Sequence, residues 1–370
     1  MAPPFHDGAK CLVRDVATHL RAVEPCVLST RTAPPMWSRI DGSRVASVPV
    51  YSDAGAYTPL LAQNFRAALW VLLASRADVW HFVFAPNPRT STVGRVLSRA
   101  RRVPVVQTIA SGPRHFEDVQ SLLFGDVVVA QSEWMRQRVR DSAAAARAPL
   151  PDVRVILPPV SMAITRSEEQ REKARAELGL NGDAPWFVYP GDLETSSGAE
   201  VSAQIAERIG AALPGAVIVF AFRRKTARAL EIANALRSRL PSGCARFVDS
   251  TPDVLSLITA SHGVIFPVDD LYGKVDLPIV LLEAMVLGVP VVTLAAGPLV
   301  ELRGATQVQG LDPERWIAAL QSLVSECDRA ARCVREQREF VRNSASAEHV
   351  AAQYESVYRE LSRAVPRASD

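Results

Sequence analysis

The sequence predicts an α/β protein made of two doubly wound, parallel-sheet domains, and three observations carry that prediction. At 370 residues the chain exceeds the size of one hydrophobic core. Short β-branched runs alternate with longer stretches of helical periodicity, as strands do when crossover helices join them. That alternation breaks off at "PPVSMAITRSEEQ", residues 158–170, and then starts again.

The first series contains "CVLST" (26–30), "RVASVPV" (44–50), "DVWHFVF" (78–84), "VPVVQTI" (103–109), "DVVVA" (126–130) and "VRVIL" (153–157). Between these runs lie helical stretches such as "NFRAALWVLLASR" (64–76) and "SEWMRQRVRDSAAAA" (132–146). Ser132 suits the N-cap of the latter, because its hydroxyl can satisfy an amide of the first turn. The second series is "WFVYPG" (186–191), "AVIVFAF" (216–222), "ARFVDS" (245–250), "HGVIFPV" (262–268) and "VPVVTL" (289–294). The break sets domain limits of 1–160 and 161–345, and the tail from Asp312 to Arg363 reads as charged amphipathic helices. Two such domains make a cleft, with ligands at the carboxyl ends of the strands. The chain opens on the loop-like "APPFHDG", where a first strand would be expected. Either a start lies upstream or the first sheet is built without its opening strand.

Composition narrows the function classes. The chain is 48% hydrophobic and 22% charged, with a net charge of +3, too balanced for a nucleic-acid-binding domain. Five cysteines without a C-x-x-C pair fit reduced thiols in a cytoplasmic protein. Arg66 and Glu283 interrupt the two longest apolar stretches, and the N-terminus has no apolar signal core. No G-x-G-x-x-G follows a strand, which disfavours a nicotinamide enzyme.

The most informative stretch is "KVDLPIVLLEAMVLGVPVV", residues 274–292. Asp276 suits an N-cap, Pro278 a first helical turn, and Gly288 a left-handed end followed by Pro290. The helix spans about two and a half turns of apolar residues, with Glu283 as its one interior charge. A buried carboxylate needs a partner. It either pairs with an arginine or amide of the protein, or accepts hydrogen bonds from a vicinal diol such as a ribose.

At "LLEAMVLGVPVV" the chain resembles the retaining glycosyltransferases of family 4, which have the GT-B fold: two Rossmann-like domains facing a cleft, with a C-terminal helix (here 346–370) returning to the N-domain. "RRVPVVQTIAS", "DVVVAQSEWM", "YPGDLETSSGA", "SHGVIFPV", "AAGPLVEL" and "EHVAAQYESVYREL" resemble further blocks in the family's order. The resemblance implies a metal-independent transfer of a sugar from a nucleotide-diphosphate donor to a glycan, small-molecule or lipid acceptor, with no cofactor. It places Glu283 on the donor ribose. Three departures accompany it. The first glutamate of the family's E-x7-E falls on Val275, leaving Lys274 and Asp276 as polar neighbours. The diphosphate motif G-R-L-x-x-x-K-G reads "GDLETSSG", with Asp192 and Ser197 in place of the cations, although Gly191, Leu193 and Gly198 match. The family's N-domain histidine is Ala110.

Arg223, Arg224 and Lys225 after a strand, and the turn Gly297–Pro298–Leu299 with the backbone amides it leaves free, are candidates to offset the lost cations. The donor-binding set is therefore Gly191, Asp192, Arg223, Lys225, Lys274, Glu283, Gly297, Pro298 and Leu299. Gly8, His6 and Ser111 are placed on the acceptor side. His81, His115 and Asp276 are the catalytic candidates, His81 also reading as a satisfied core histidine. Asp269–Asp270 invites a metal reading, which the resemblance argues against. Arg95, Arg99 and Arg102 recur at helical spacing, first a solvated face and second a peripheral contact with anionic lipid at the inner membrane face. The rival function is a catalytically silent GT-B protein that binds a nucleotide sugar or partners an active transferase.

Overall fold

The computed structural model describes residues 1, 5, 7–32, 34–53, 59–165, 167–177, 179, 184–224, 226–249 and 253–364. The chain divides into two compact units, the first made of Met1–Val160, Tyr272–Pro278 and Ser344–Asp370, the second of Ser161–Leu271 and Ile279–Asn343. Residues 272–278 thus group with the first unit, not with the second as the linear reading has it. Val275 and Leu277 are buried there, the apolar reason for the excursion.

Unit 1 begins with α1 (Gly8–His19), β1 (Cys26–Ser29), β2 (Ala46–Pro49), α2 (Leu61–Leu73), β3 (Trp80–Phe84) and α3 (Pro88–Arg101). It continues through β4 (Val105–Ile109), α4 (Val119–Leu122), β5 (Val127–Ala130), α5 (Glu133–Ala145) and β6 (Asp152–Val155). Strands β3-β4-β5-β6 form one parallel sheet, and β1-β2 a separate parallel pair. Helix α1, which the loop-like opening hid, follows Asp7 directly. Local chemistry sets the other helix starts. Ser132 Oγ accepts from the Met135 amide at 2.9 Å, and Asn87 Oδ1 from the Thr90 amide at 3.0 Å, with Pro88 in the first turn of α3.

Unit 2 holds α6 (Glu168–Glu177), β7 (Trp186–Tyr189), α7 (Gly198–Arg208), β8 (Val217–Phe222), α8 (Arg228–Arg239) and β9 (Ala245–Asp249). After these come α9 (Val254–Ala260), β10 (Gly263–Phe266), α10 (Ile279–Leu287), β11 (Val291–Leu294), β12 (Thr306–Val308), α11 (Pro313–Ser325) and α12 (Cys327–Ser344). Its strands form one parallel sheet in the order β12-β11-β10-β7-β8-β9, the doubly wound order with its reversal between β7 and β10. Every residue of β7, β8, β10 and β11 is buried, as in a sheet covered on both faces.

The last helix, α13 (Ala347–Ala364), belongs to unit 1. Tyr354 and Thr108 share a hydroxyl hydrogen bond at 3.0 Å, and Glu355 accepts from the Ala22 amide at 2.7 Å. The Val160 amide donates to Ala345 O, and the Ala347 amide to Val160 O, both at 2.9 Å. Within unit 1, the residues next to two of the four passages of the chain between the units, those at 160–161 and 343–344, are therefore bonded to each other.

Candidate active site

In unit 2, the carboxyl ends of β7 and β10 flank the reversal of strand order, where open α/β sheets take their ligands. Gly191 and Asp192 follow β7. Tyr189 donates to Asp192 O at 2.8 Å, and its ring fills the space beside Gly191, so a Cβ there would collide with it. A Cβ on Gly198 would meet the same hydroxyl at 2.8 Å. The two glycines of the "GDLETSSG" loop are thus required by one buried tyrosine. Burial, then the negative charges of Asp192 and Asp269, push the Tyr189 phenol far above its usual range, so it stays a donor.

Opposite, after β10, Asp269 accepts from the Ser197 amide at 2.9 Å and from its hydroxyl at 2.6 Å. Burial pulls the Asp269 carboxyl upward. The hydroxyl and amide of Ser197, with the amides of Asp269 and Asp270, outweigh that pull and hold it below the usual carboxylate range. An ionised carboxylate is therefore held at the position that departs from the family's lysine. Among the described residues no three His, Cys, Asp or Glu side chains gather in a way that could hold a metal ion.

Two further turns lie at carboxyl ends. Arg223, partly buried, follows β8, while its neighbour Arg224 is ion-paired with Asp249. Gly297 follows β11 at φ 57°, a left-handed conformation that favours glycine, and opens the short 3-10 turn Gly297–Glu301 with Pro298 and Leu299 buried. Helix α10 begins at Ile279, and seven of its nine residues are buried. Glu283 is its one charged residue and is partly buried. Gly288 ends it at φ 73°, and Arg338 donates to Val286 O and Leu287 O at 3.3 Å each, capping the last carbonyls.

Asp276 is not the N-cap of that helix. It lies in the 272–278 excursion, buried in unit 1, where its Oδ2 accepts from Ser132 Oγ at 2.7 Å. The hydroxyl that caps α5 thus also donates to this carboxylate. A Cβ on Gly8, the first residue of α1, would lie 3.4 Å from Val275 Cγ1, and the Arg114 guanidinium sits 4.3 Å above the Tyr272 ring. The excursion therefore draws together Gly8, Arg114, Ser132, Lys274 and Asp276. Lys274 is partly buried on the same excursion, so the structure moves it and Asp276 out of the unit that holds Glu283.

Sequence reasoning missed Gln131. It follows β5, is fully buried, and neither its Oε1 nor its Nε2 has a hydrogen-bond partner. A buried amide left unsatisfied costs about 1–3 kcal/mol, and such a group at the end of a strand calls for an explanation. Burial is the signal, and no spacing in "AQSEWM" announces it. Ser111, just past β4, is also buried.

The other predicted residues separate from this group. His81 takes the core role: its Nε2 pairs with Thr108 Oγ1 and its Nδ1 with the Tyr358 hydroxyl, each at 2.7 Å. Desolvation lowers its pKa to about 3, so the ring is neutral, with one nitrogen tied to β4 and the other to α13. That arrangement replaces the catalytic expectation for His81. His115 is exposed on the loop after β4. His6 and Lys225 lie outside the described residues.

Residues 184–326 match the family described as "Glycosyl transferases group 1". No curated protein matches the chain. Among solved structures, HepE of Anabaena in complex with UDP-glucose is similar over 97% of this chain and 98% of its own, with a TM-score of 0.75 at 15% identity. A glycosyltransferase of Rickettsia africae gives a TM-score of 0.72 at 15% identity, over 99% of this chain and 98% of the other. Sucrose-phosphate synthase of Thermosynechococcus elongatus gives 0.70 at 18% identity, over 96% and 93%. Likeness at this level of identity establishes architecture: the chain has the GT-B fold, with two Rossmann-like domains.

Proposed function

We propose that the protein is a retaining, metal-independent glycosyltransferase of the family 4 type that uses a nucleotide-diphosphate sugar. The observation that carries this reading is Glu283, the one charge on an otherwise apolar helix of a doubly wound sheet. Its carboxylate is suited to accept two hydrogen bonds from a ribose diol. The match of residues 184–326 to glycosyltransferases, and the UDP-glucose held by the similar HepE, support the donor class.

In this reading unit 2 takes the donor, through Glu283, the amides of the Gly191 and Gly297 turns, Arg223 and Lys225. Unit 1 takes the acceptor near Gly8, Ser111 and Gln131, with Asp276 and Lys274 presenting polar groups. The acceptor oxygen bonds to the anomeric carbon as the bond from that carbon to the diphosphate breaks. The acceptor proton passes to the departing diphosphate on the same face, which retains configuration. The protein's part is to stabilise the charge growing on the leaving group.

A second reading has its own support. Asp192 and the ionised Asp269 stand where two cations would help a diphosphate leave, an arrangement suited to a protein that binds a nucleotide sugar without turning it over. Calorimetric titration with UDP, GDP and their sugars, followed by a transfer and hydrolysis assay with whichever binds, separates the readings. Binding with turnover supports the transferase, binding without turnover supports the silent protein, and no binding of any nucleotide refutes both.

A further inference from the structure

Helix α2 turns an apolar face outward. Leu61, Phe65, Leu69 and Leu73 recur every fourth residue and are 86%, 70%, 44% and 69% exposed. The inward face of α2, with Ala68, Val71 and Leu72, packs on a cluster of Trp80, Leu97 and Val105. Helix α3 supplies Leu97 to that cluster and sends Val93 and Val96 outward beside α2, 48% and 61% exposed. Contiguous outward apolar surface of this kind marks an interaction site.

The charges around it point to the partner. Residues 61–102 contain seven arginines and a single acid, Asp78. Arg76, Arg89, Arg99 and Arg102 are all exposed, and none makes an ion pair among the described residues. A second copy of this chain meeting the face about a two-fold axis would set these arginines against each other with almost no acid to balance them. An apolar stripe with a cationic rim instead suits a helix lying in the headgroup region of an anionic bilayer. No helix among the described residues is long and apolar enough to cross a membrane, so the contact is peripheral.

We propose that the α2–α3 face docks on anionic lipid surfaces, with Leu61, Phe65, Leu69 and Leu73 entering the headgroup–acyl boundary and Arg76, Arg89, Arg99 and Arg102 meeting headgroup phosphates. This assignment is independent of the reaction the protein catalyses. It goes beyond the arginine spacing of α3, because the apolar stripe of α2 supplies the anchoring part.

The test is flotation of the full chain with vesicles of phosphatidylcholine alone and of phosphatidylcholine mixed with phosphatidylglycerol. The protein is expected to float with the anionic vesicles at low salt, to be released in part by high salt, and to leave the neutral vesicles alone. The Phe65→Ser/Leu69→Ser variant is expected to weaken binding at least tenfold with its thermal unfolding unchanged, since both side chains are exposed. Arg89→Ala/Arg99→Ala is expected to cost about fivefold per arginine and to flatten the salt dependence. Failure to float with anionic vesicles, or flotation indifferent to both variants, overturns the proposal. So does a wild-type dimer in sedimentation velocity that the Phe65→Ser/Leu69→Ser variant dissolves while wild-type protein ignores lipid, which would assign the face to a second copy.

Discussion

Unit 2 closes a single six-stranded sheet from two stretches of chain, whereas unit 1 takes its two-stranded pair and four-stranded sheet from its first stretch alone and adds residues 272–278 and α13 from two later ones. In unit 2 the four inner strands β7, β8, β10 and β11 are buried throughout, and the edge strands β9 and β12 keep partial exposure. In unit 1 only β4 and β5 are buried throughout, and β1, β2, β3 and β6 keep partial exposure. The family match, residues 184–326, also falls on unit 2 apart from the 272–278 excursion. The contrast teaches where each unit's precision comes from. Unit 2 relies on a regular sheet whose strand order itself creates a binding edge. Unit 1 relies on long-range side-chain ties, such as Ser132 to Asp276 and His81 to Tyr358, to hold its pieces in place.

The sharpest way to test this division is Glu283→Ala. If unit 2 alone supplies the donor ribose contact, the variant weakens nucleotide binding about a hundredfold by calorimetry, the loss of hydrogen bonds to a charged acceptor. An equal loss of acceptor affinity in the same variant would break the division.

Next in size is Gly191→Ala, which forces a methyl group into the Tyr189 ring. Overpacking of this kind costs about 1–3 kcal/mol, read as a lower midpoint in urea unfolding. The change should lie in unit 2, leaving proteolytic protection of α13 intact.

A pH experiment probes unit 1. The folded-state pKa of His81 is depressed to about 3, below the unfolded value, so the unfolded chain binds the extra proton between them. Stability contributed by the neutral ring is complete above the unfolded pKa, near 6.5, and is lost as pH falls from there towards 3. The slope is at most ~1.4 kcal/mol per pH unit. Urea unfolding at stepped pH should show this slope in the wild type, and a His81→Gln variant should flatten it.

The smallest effect is the most diagnostic. Replacing the orphaned amide in Gln131→Leu should leave stability unchanged or raise it by about 1 kcal/mol in thermal unfolding, because nothing in the protein loses a bond. On the proposed function it should raise the acceptor KM and leave nucleotide affinity alone. Marked destabilisation would show that the amide has a structural partner.

Much of the fold is legible in the sequence, because burial on both faces makes parallel strands read as apolar runs. Each of the eleven runs expected as a strand is one, with ends trimmed by a few residues. β12 escapes notice because Thr306–Val308 is short and of mixed polarity. The destination of residues 272–278 escapes because nothing local in "YGKVDLP" states which core Val275 and Leu277 will enter. The same limit explains the site. Gly191, Gly198 and Gly288 are recognisable because what requires them is near in sequence, the Tyr189 ring for the first two and a left-handed helix end for the third. The roles of His81 and Asp276 depend on partners 277 and 144 residues away along the chain.

The composite make-up of unit 1 also bears on biosynthesis. Strands β3 and β4 are translated early, but the α13 tyrosines that bind His81 and Thr108 leave the ribosome only after the whole of unit 2. The usual order, in which the N-terminal domain folds first, is therefore interrupted. The half of the molecule that is made first is the half that is finished last, and until then its sheet waits with polar side chains meant for a helix not yet synthesised.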